Sequence, residues 1–409
     1  MKPPLESDRG RARAARVLAV SEAQIPSAVL GVNAVFEHLA ATDGSCELRR
    51  ASSVDLDPAD VAWADAIVLV RGASPAERRI LAAARRLGRF VATYMDDDLE
   101  RVPAGARSAY FFRSPQVLAN LSAILTVADA VYVCSERLRE VLTARHPRSV
   151  TLLRQPRPPR IPGEDGPPAV LTRSGSAPDA SAIVRVGFLG SVDHAAFLES
   201  LLAEPLRAIA RDRPGHIELV FCGANPPFAR ALGARLEPFD LDFSAWRRRA
   251  LALGVGVGLA PLADSPFHRC KYFNKVLEYG SLGIAGIYSS VPPSADVVVD
   301  GQTGLLCANE PAAWHAALRR LVDDAELRLR LARAAYEDVE RRFSARALEA
   351  HWREALAPLL AHRAPTVEAR AVRLPHGRLR HALDRLAVYG PYRFAERAFG
   401  RVSGRLRPG

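Results

Sequence analysis

The chain has 409 residues, about half of them hydrophobic, which exceeds the roughly 100–200 residues of a single domain; two domains with separate cores are expected, and general disorder is excluded. Five cysteines (Cys46, Cys134, Cys222, Cys270, Cys307) lie far apart with no CxxC pair and no histidine at ligand spacing, against both a disulfide framework and structural zinc. Of the net charge of +11, residues 363–409 hold +8, eleven arginines against three acids, so the body is nearly balanced and whole-chain nucleic-acid binding loses its main support.

The arginines at 9, 11, 13 and 16 precede only a short strand-like run, Val17–Ser21, not the apolar core of a signal peptide. Long apolar stretches such as Val255–Leu262 and Ile284–Val291 are strand-sized and well short of the roughly 20 residues that span a bilayer. A cytoplasmic protein is expected.

In chain order, Arg16–Ser21 predicts a strand and Val29–Leu39 a helix. Ala66–Val70 is a second strand, Pro75–Leu87 a helix, and Arg89–Tyr94 a third strand that ends at Met95-Asp-Asp-Asp98. Asp129–Cys134 is a further strand, closed by Ser135 as a helix N-cap. Proline, glycine and serine dominate 156–182, which reads as a linker. The alternation then resumes with strand Ile183–Leu189, helix Ala195–Arg211, strand Ile217–Cys222, helix Trp246–Leu253 and strand Val255–Leu262. A helix through Lys275 and Leu282 comes next, then Gly286–Ser289, Gly304–Leu306 and two long helices, Pro311–Val322 and Ala325–Arg342. Repeated βα units predict an α/β protein with two Rossmann-like domains facing a cleft.

Ligands of such sheets bind beyond the strands' carboxyl ends. After Val255–Leu262, the residues Lys271, Lys275 and Glu278 are spaced to share one helical face, with Phe273, Val276, Leu277 and Gly280 on the other. Arg269, Lys271 and Lys275 in a helix's first turn oppose its dipole and invite an anion, and a diphosphate would satisfy them. Glu278 could accept hydrogen bonds from ribose hydroxyls. An internal Lys275–Glu278 pair on a solvated helix is the plainer alternative.

Upstream, Gly187–His194 follows the first strand of the second half; Gly190 and Ser191 are expected to let backbone amides approach an anion, with His194 as a polar or catalytic contact, and a purely structural turn is the alternative. In the first half, Asp96, Asp97 and Asp98 end a strand and so point toward the cleft. Adjacent acids repel unless solvent or a ligand compensates. One of them is expected to bind acceptor hydroxyls or act as a base; helix capping is the alternative. His38, His146 and His268 read as structural or surface residues.

The segment Asn274-Lys-Val-Leu-Glu-Tyr-Gly-Ser-Leu-Gly283, with Val299-Asp-Gly-Gln-Thr-Gly-Leu-Leu306, resembles the donor-binding half of glycosyltransferase family 4 and its relatives, over roughly 183–345. The resemblance implies the GT-B architecture, with Glu278 holding the ribose and Lys271 and Lys275 the diphosphate of a nucleotide sugar. The family's first glutamate, eight residues before the second, is replaced here by Cys270. In the family that residue touches the transferred sugar, so sugar contacts differ in this divergent branch.

The expected organisation is an acceptor-side domain (1–160), a linker (161–181), a nucleotide-sugar domain (182–345) and a helical Arg-rich segment (346–409). The expected activity is transfer of a sugar from a nucleoside-diphosphate sugar to an acceptor hydroxyl, with retention as in family 4. A sugar-nucleotide epimerase of the same fold, or a non-catalytic subunit, would use the same residues. No cofactor and no essential metal are expected. Val372–Phe399 is read as a basic amphipathic helix with Leu379, Leu383, Leu386 and Val388 on its apolar face, which either packs across the domains or contacts anionic membrane; a solvated cationic tail is the alternative.

Overall fold

Short runs rich in Val, Ile, Leu and Ala become buried parallel strands because both of their faces are covered by helices. In the computed structural model, residues 13–374 and 379–389 are described, apart from 24, 107, 147, 173–182, 192–193, 239 and 241. Arg9 and Arg11, the Ser174–Ser176 part of the linker and the 390–399 end of the tail helix fall outside these.

The first sheet contains β1 (Ala15–Ser21), β2 (Cys46–Ser52), β3 (Ala66–Val70), β4 (Phe90–Met95), β5 (Ala130–Val133) and β6 (Val150–Leu152), in the order β2-β1-β3-β4-β5-β6. The second contains β7 (Val184–Gly190), β8 (Ile217–Gly223), β9 (Arg235–Glu237), β10 (Val257–Ala260), β11 (Ala285–Ser289) and β12 (Leu305–Cys307), in the order β12-β11-β10-β7-β8-β9. Strand pairs are parallel throughout. Strand order reverses between β1 and β3 in one sheet and between β7 and β10 in the other, the two places where such sheets open a crevice.

The edge strands β2, β6 and β9 were not anticipated, because edges carry polar residues: β2 reads Cys-Glu-Leu-Arg-Arg-Ala-Ser. The helix expected around Val29–Leu39 is a turn (Pro26–Ala28), a π-helical stretch (Val29–Asn33) and an α-helix (Ala34–Asp43). There Gly31 lies so close to Tyr94 that a Cβ would fall 2.5 Å from the ring. Ser135 caps Glu136–Arg145 as expected, its hydroxyl accepting from the Leu138 amide at 3.3 Å.

The chain crosses between the two sheets twice. Residues 153–161 run from the first to the second, and at Ser344 the helix Ala325–Phe343 gives way to Ala345–Ala361, which returns to the first. Trp352, Leu356 and Leu359 of the returning helix are buried in the first sheet's core, and the Trp352 indole donates to the Arg154 carbonyl at 2.8 Å. The crossings are tied together by the Arg157 amide, which donates to the Phe343 carbonyl at 2.7 Å. Among the linker residues described, Glu164 pairs with buried Arg247 at 2.7 Å and Ala169–Thr172 forms a short helix.

Candidate active site

Both points of strand-order reversal open onto one cavity of about 920 Å³. From the first sheet come Glu22 and Ala23 after β1, Arg71 after β3 and Asp97 after β4. From the second come Ser191 and His194 after β7, Pro261 and Leu262 after β10, then Phe267, His268 and Lys271. Buried Ser289 at the end of β11 braces the β10 loop, accepting from the Leu262 amide at 2.8 Å, while the Asn309 side chain donates to the Leu262 carbonyl at 2.9 Å.

Lys271, Lys275 and Glu278 do not share a helical face. The short helix Pro266–Arg269 ends at Cys270, and the next helix begins only at Asn274. Between them the chain is pinned by Tyr272, whose hydroxyl donates to the Gln155 carbonyl at 3.0 Å and whose ring lies 4.0 Å from that of Phe273. Tertiary contacts thus break the helical spacing. Lys271 crosses the cleft and donates to Asp97 at 2.8 Å. Arg269 is turned to the surface, bonded to Asp264 at 2.5 and 2.8 Å, and does not line the cavity.

Lys275 and Glu278 do lie together, 2.5 Å apart on Asn274–Leu282, with side chains 23% and 17% exposed. The lysine stem passes Gly190 at the end of β7; a Cβ there would stand 3.3 Å from Lys275 Cε and 2.7 Å from the Phe188 ring. The His194 ring packs on Phe188 at 5.4 Å. Gly190, His194, Lys275 and Glu278 therefore meet at the β7 end of the sheet; Ser191 and His194 are on the cavity wall, whereas Gly190, Lys275 and Glu278 lie behind it, Lys275 and Glu278 forming the internal pair that is the plainer alternative from sequence.

The three aspartates part company. Asp98 is 1% exposed and makes a two-point pair with Arg145 at 2.8 and 2.9 Å, away from the cavity. Asp96 accepts a short hydrogen bond from Ser27 and pairs with Arg71 at 3.3 Å. Of the three, Asp97 alone lines the cavity, bonded to Lys271 and to Arg71 at 3.2 Å. Their mutual repulsion is offset by these cations, so no ligand is required to keep them together, contrary to the expectation from sequence. Burial disfavours the Asp97 carboxylate, but Lys271 and Arg71 outweigh it and hold its pKa below the ordinary value.

Arg71 gave no local sequence signal. It has φ 55°, a left-handed conformation that costs a non-glycine residue roughly 1–2 kcal/mol, and its guanidinium lies 5.5 Å from the Phe112 ring centre. This strain is held at a strand's carboxyl end, where Arg71, on the cavity wall, pairs with Asp96 and Asp97.

Burial, followed by Lys275, Lys271 and His268, pushes the His194 imidazole down to about 3, so it is neutral near pH 7. His268, read from sequence as structural or surface, also lines the cavity; burial and then Lys271 lower it, and its Nδ1 lies 2.7 Å from Ser265 Oγ. His38 and His146 instead bond Glu349 and Glu100 at 2.9 and 3.2 Å. Cys270 is buried, its thiol pushed up to about 11 by burial, and its carbonyl accepts from Ser135 at 2.6 Å across the domain contact. Among the described residues, no group of three or more His, Cys, Asp or Glu is arranged to hold a metal, and no helix is long and apolar enough to cross a membrane.

Residues 275–338 match the family model for glycosyl transferases group 1. Among solved structures, the chain is similar to the sucrose-phosphate synthase of Thermosynechococcus elongatus, with a TM-score of 0.57 and 16% identity over 85% of this chain and 99% of that one. It is also similar to HepE of Anabaena in complex with UDP-glucose, with a TM-score of 0.54 and 11% identity over 84% and 99%. A glycosyltransferase of Rickettsia africae gives a TM-score of 0.52 and 11% identity over 85% and 99%. No curated protein matches the sequence.

Proposed function

We propose, from the premise that this chain is a glycosyltransferase of the two-domain GT-B architecture, that it moves a sugar from a nucleoside-diphosphate sugar to an acceptor hydroxyl with retention. The observation that carries this reading is the meeting of Lys275, Glu278 and Gly190 at the β7 end, where the second sheet's strand order reverses. In this reading Lys275 holds the diphosphate, Glu278 accepts from the ribose hydroxyls, and Gly190 and Ser191 let the backbone approach the phosphates. The domain within 182–345 serves the donor and the domain within 1–160 the acceptor.

Lys271 stabilises negative charge that develops on the leaving diphosphate. Neutral His194 donates a hydrogen bond without competing for the same charge. Asp97 stays ionised and orients the acceptor hydroxyl by accepting its proton in a hydrogen bond; a depressed pKa makes it a weak base but a firm acceptor. Arg269, exposed and paired with Asp264, is left out of the diphosphate contacts. The Arg-rich chain end supplies peripheral contact with anionic membrane.

Titration calorimetry tests the donor site with UDP, uridine and 2′-deoxy-UDP. Lys275→Ala should weaken UDP about 10- to 100-fold, the loss of one charge-assisted contact, and leave uridine nearly unchanged. Glu278→Gln should weaken UDP and scarcely alter the deoxy analogue. Uniform losses, or none, would remove the donor-site assignment.

A further inference from the structure

Away from the β7 end, the cavity wall is aromatic. Tyr110, Phe111 and Phe112 of the short helix Ala109–Phe112 line it, together with Tyr389 of the 379–389 helix. Phe111 and Phe112 stand 5.0 Å apart edge to face, and Tyr389 lies 5.4 Å from Tyr110 and 6.1 Å from Phe111. All four rings are half-buried, so each keeps part of a face toward the cavity.

Charges of both signs flank the rings. The Arg385 guanidinium lies 5.5 Å from the Tyr389 ring centre, Arg71 holds the same distance to Phe112, and Glu22 and His381 lie on the same wall. The 379–389 helix is fastened to the first domain by buried Asp384, which accepts from Arg79 through both oxygens, one bond being 3.2 Å.

We propose that this wall is the acceptor subsite and that it takes a pyranose ring of a glycan; the proposal rests on the transfer reading above. A pyranose presents C–H groups on its faces, which suit the negative face of an aromatic ring. Its rim hydroxyls donate to a carboxylate such as Glu22 and accept from a guanidinium such as Arg385. A purely apolar ligand would desolvate Arg385, Arg71 and Glu22 without replacing their hydrogen bonds. A simple anion would leave the rings unused and would face Glu22.

Saturation-transfer NMR on the full chain tests this, with the methyl pyranosides of glucose, galactose, mannose and N-acetylglucosamine as probes, benzyl alcohol as an apolar competitor, and UDP titrated in parallel. At least one glycoside should receive saturation, strongest at its ring C–H protons. Tyr389→Ala and Phe112→Ala should each weaken it about 3- to 10-fold while UDP affinity holds, and Tyr389→Phe should retain it. UDP binding with no glycoside binding, unchanged glycoside binding in both alanine variants, or displacement of the glycoside by benzyl alcohol would overturn the subsite. Glycoside binding that depends on these rings in a protein that binds no UDP would uphold the subsite and remove the transfer reading.

Discussion

His194 shows how a single side chain can report on the site. Its folded pKa of about 3 lies below the roughly 6.5 of an unfolded chain. Between those values the unfolded chain binds a proton that the folded one does not, so this histidine's favourable effect is fully present above about pH 6.5 and is lost as pH falls toward 3. The slope within that window is on the order of 1 kcal/mol per pH unit. His194→Gln should therefore lose less melting temperature between pH 7 and pH 5 than the wild type. A diphosphate beside the ring would favour its charged form, so UDP binding near pH 5 should take up protons in the wild type and less in the variant. Calorimetry in buffers of different ionisation enthalpy measures that uptake, and identical uptake in both proteins would place His194 away from the phosphates. The residue type and its place after β7 were legible in the sequence. Its neutrality was not, because the burial that chiefly lowers it, and then Lys275, Lys271 and His268, are brought to it by the fold.

At the scale of elements, the end of β4 separates stability from activity along three consecutive residues. Asp98→Asn breaks a buried pair and leaves Arg145 with reduced compensation; about 3 kcal/mol of stability should be lost, seen as a lower denaturation midpoint. Asp97→Asn, at the cavity wall, weakens its pairs with Lys271 and Arg71 and should lower the midpoint less than Asp98→Asn does, yet lose about tenfold or more in transfer rate. Normal turnover of Asp97→Asn would exclude its orienting role. The βα alternation and the strand ends were legible because apolar periodicity is a local property. The break at Cys270–Phe273 was hidden, since it depends on Tyr272 reaching Gln155, and β2 was hidden because an edge strand needs no apolar run. The aromatic wall is likewise invisible locally: Tyr110 and Tyr389 are brought together only by the fold.

Over the whole molecule, the 379–389 helix turns two faces to different surroundings. Arg385 and Tyr389 look into the cavity, while Leu379, Leu383 and Leu386 are 77%, 50% and 37% exposed. The apolar stripe read from sequence thus faces outward, apart from half-buried Val388. An exposed apolar stripe on a segment with eleven arginines suits an anionic bilayer surface. Full-length protein should float with phosphatidylglycerol vesicles and not with phosphatidylcholine vesicles, and joint replacement of Leu379, Leu383 and Leu386 by serine should reduce recovery. Equal recovery from both lipids would remove the membrane reading.

The paired chain crossings limit how the cleft can change shape. Two connections lying side by side, and bonded to each other through Arg157 and Phe343, act as adjacent pins of a door: they permit swing about the line through them and resist sliding or twisting. Leverage then grows with distance from the pins, so a small angular change there becomes a large change in aperture at the opposite rim. Because Asp384 bolts the tail helix to the first domain, Tyr389 would move with Tyr110, and the aromatic wall would keep its shape if the aperture changed. The Lys271–Asp97 and Ser135–Cys270 bonds both span the gap between the two leaves, so any opening of the cleft would have to break both.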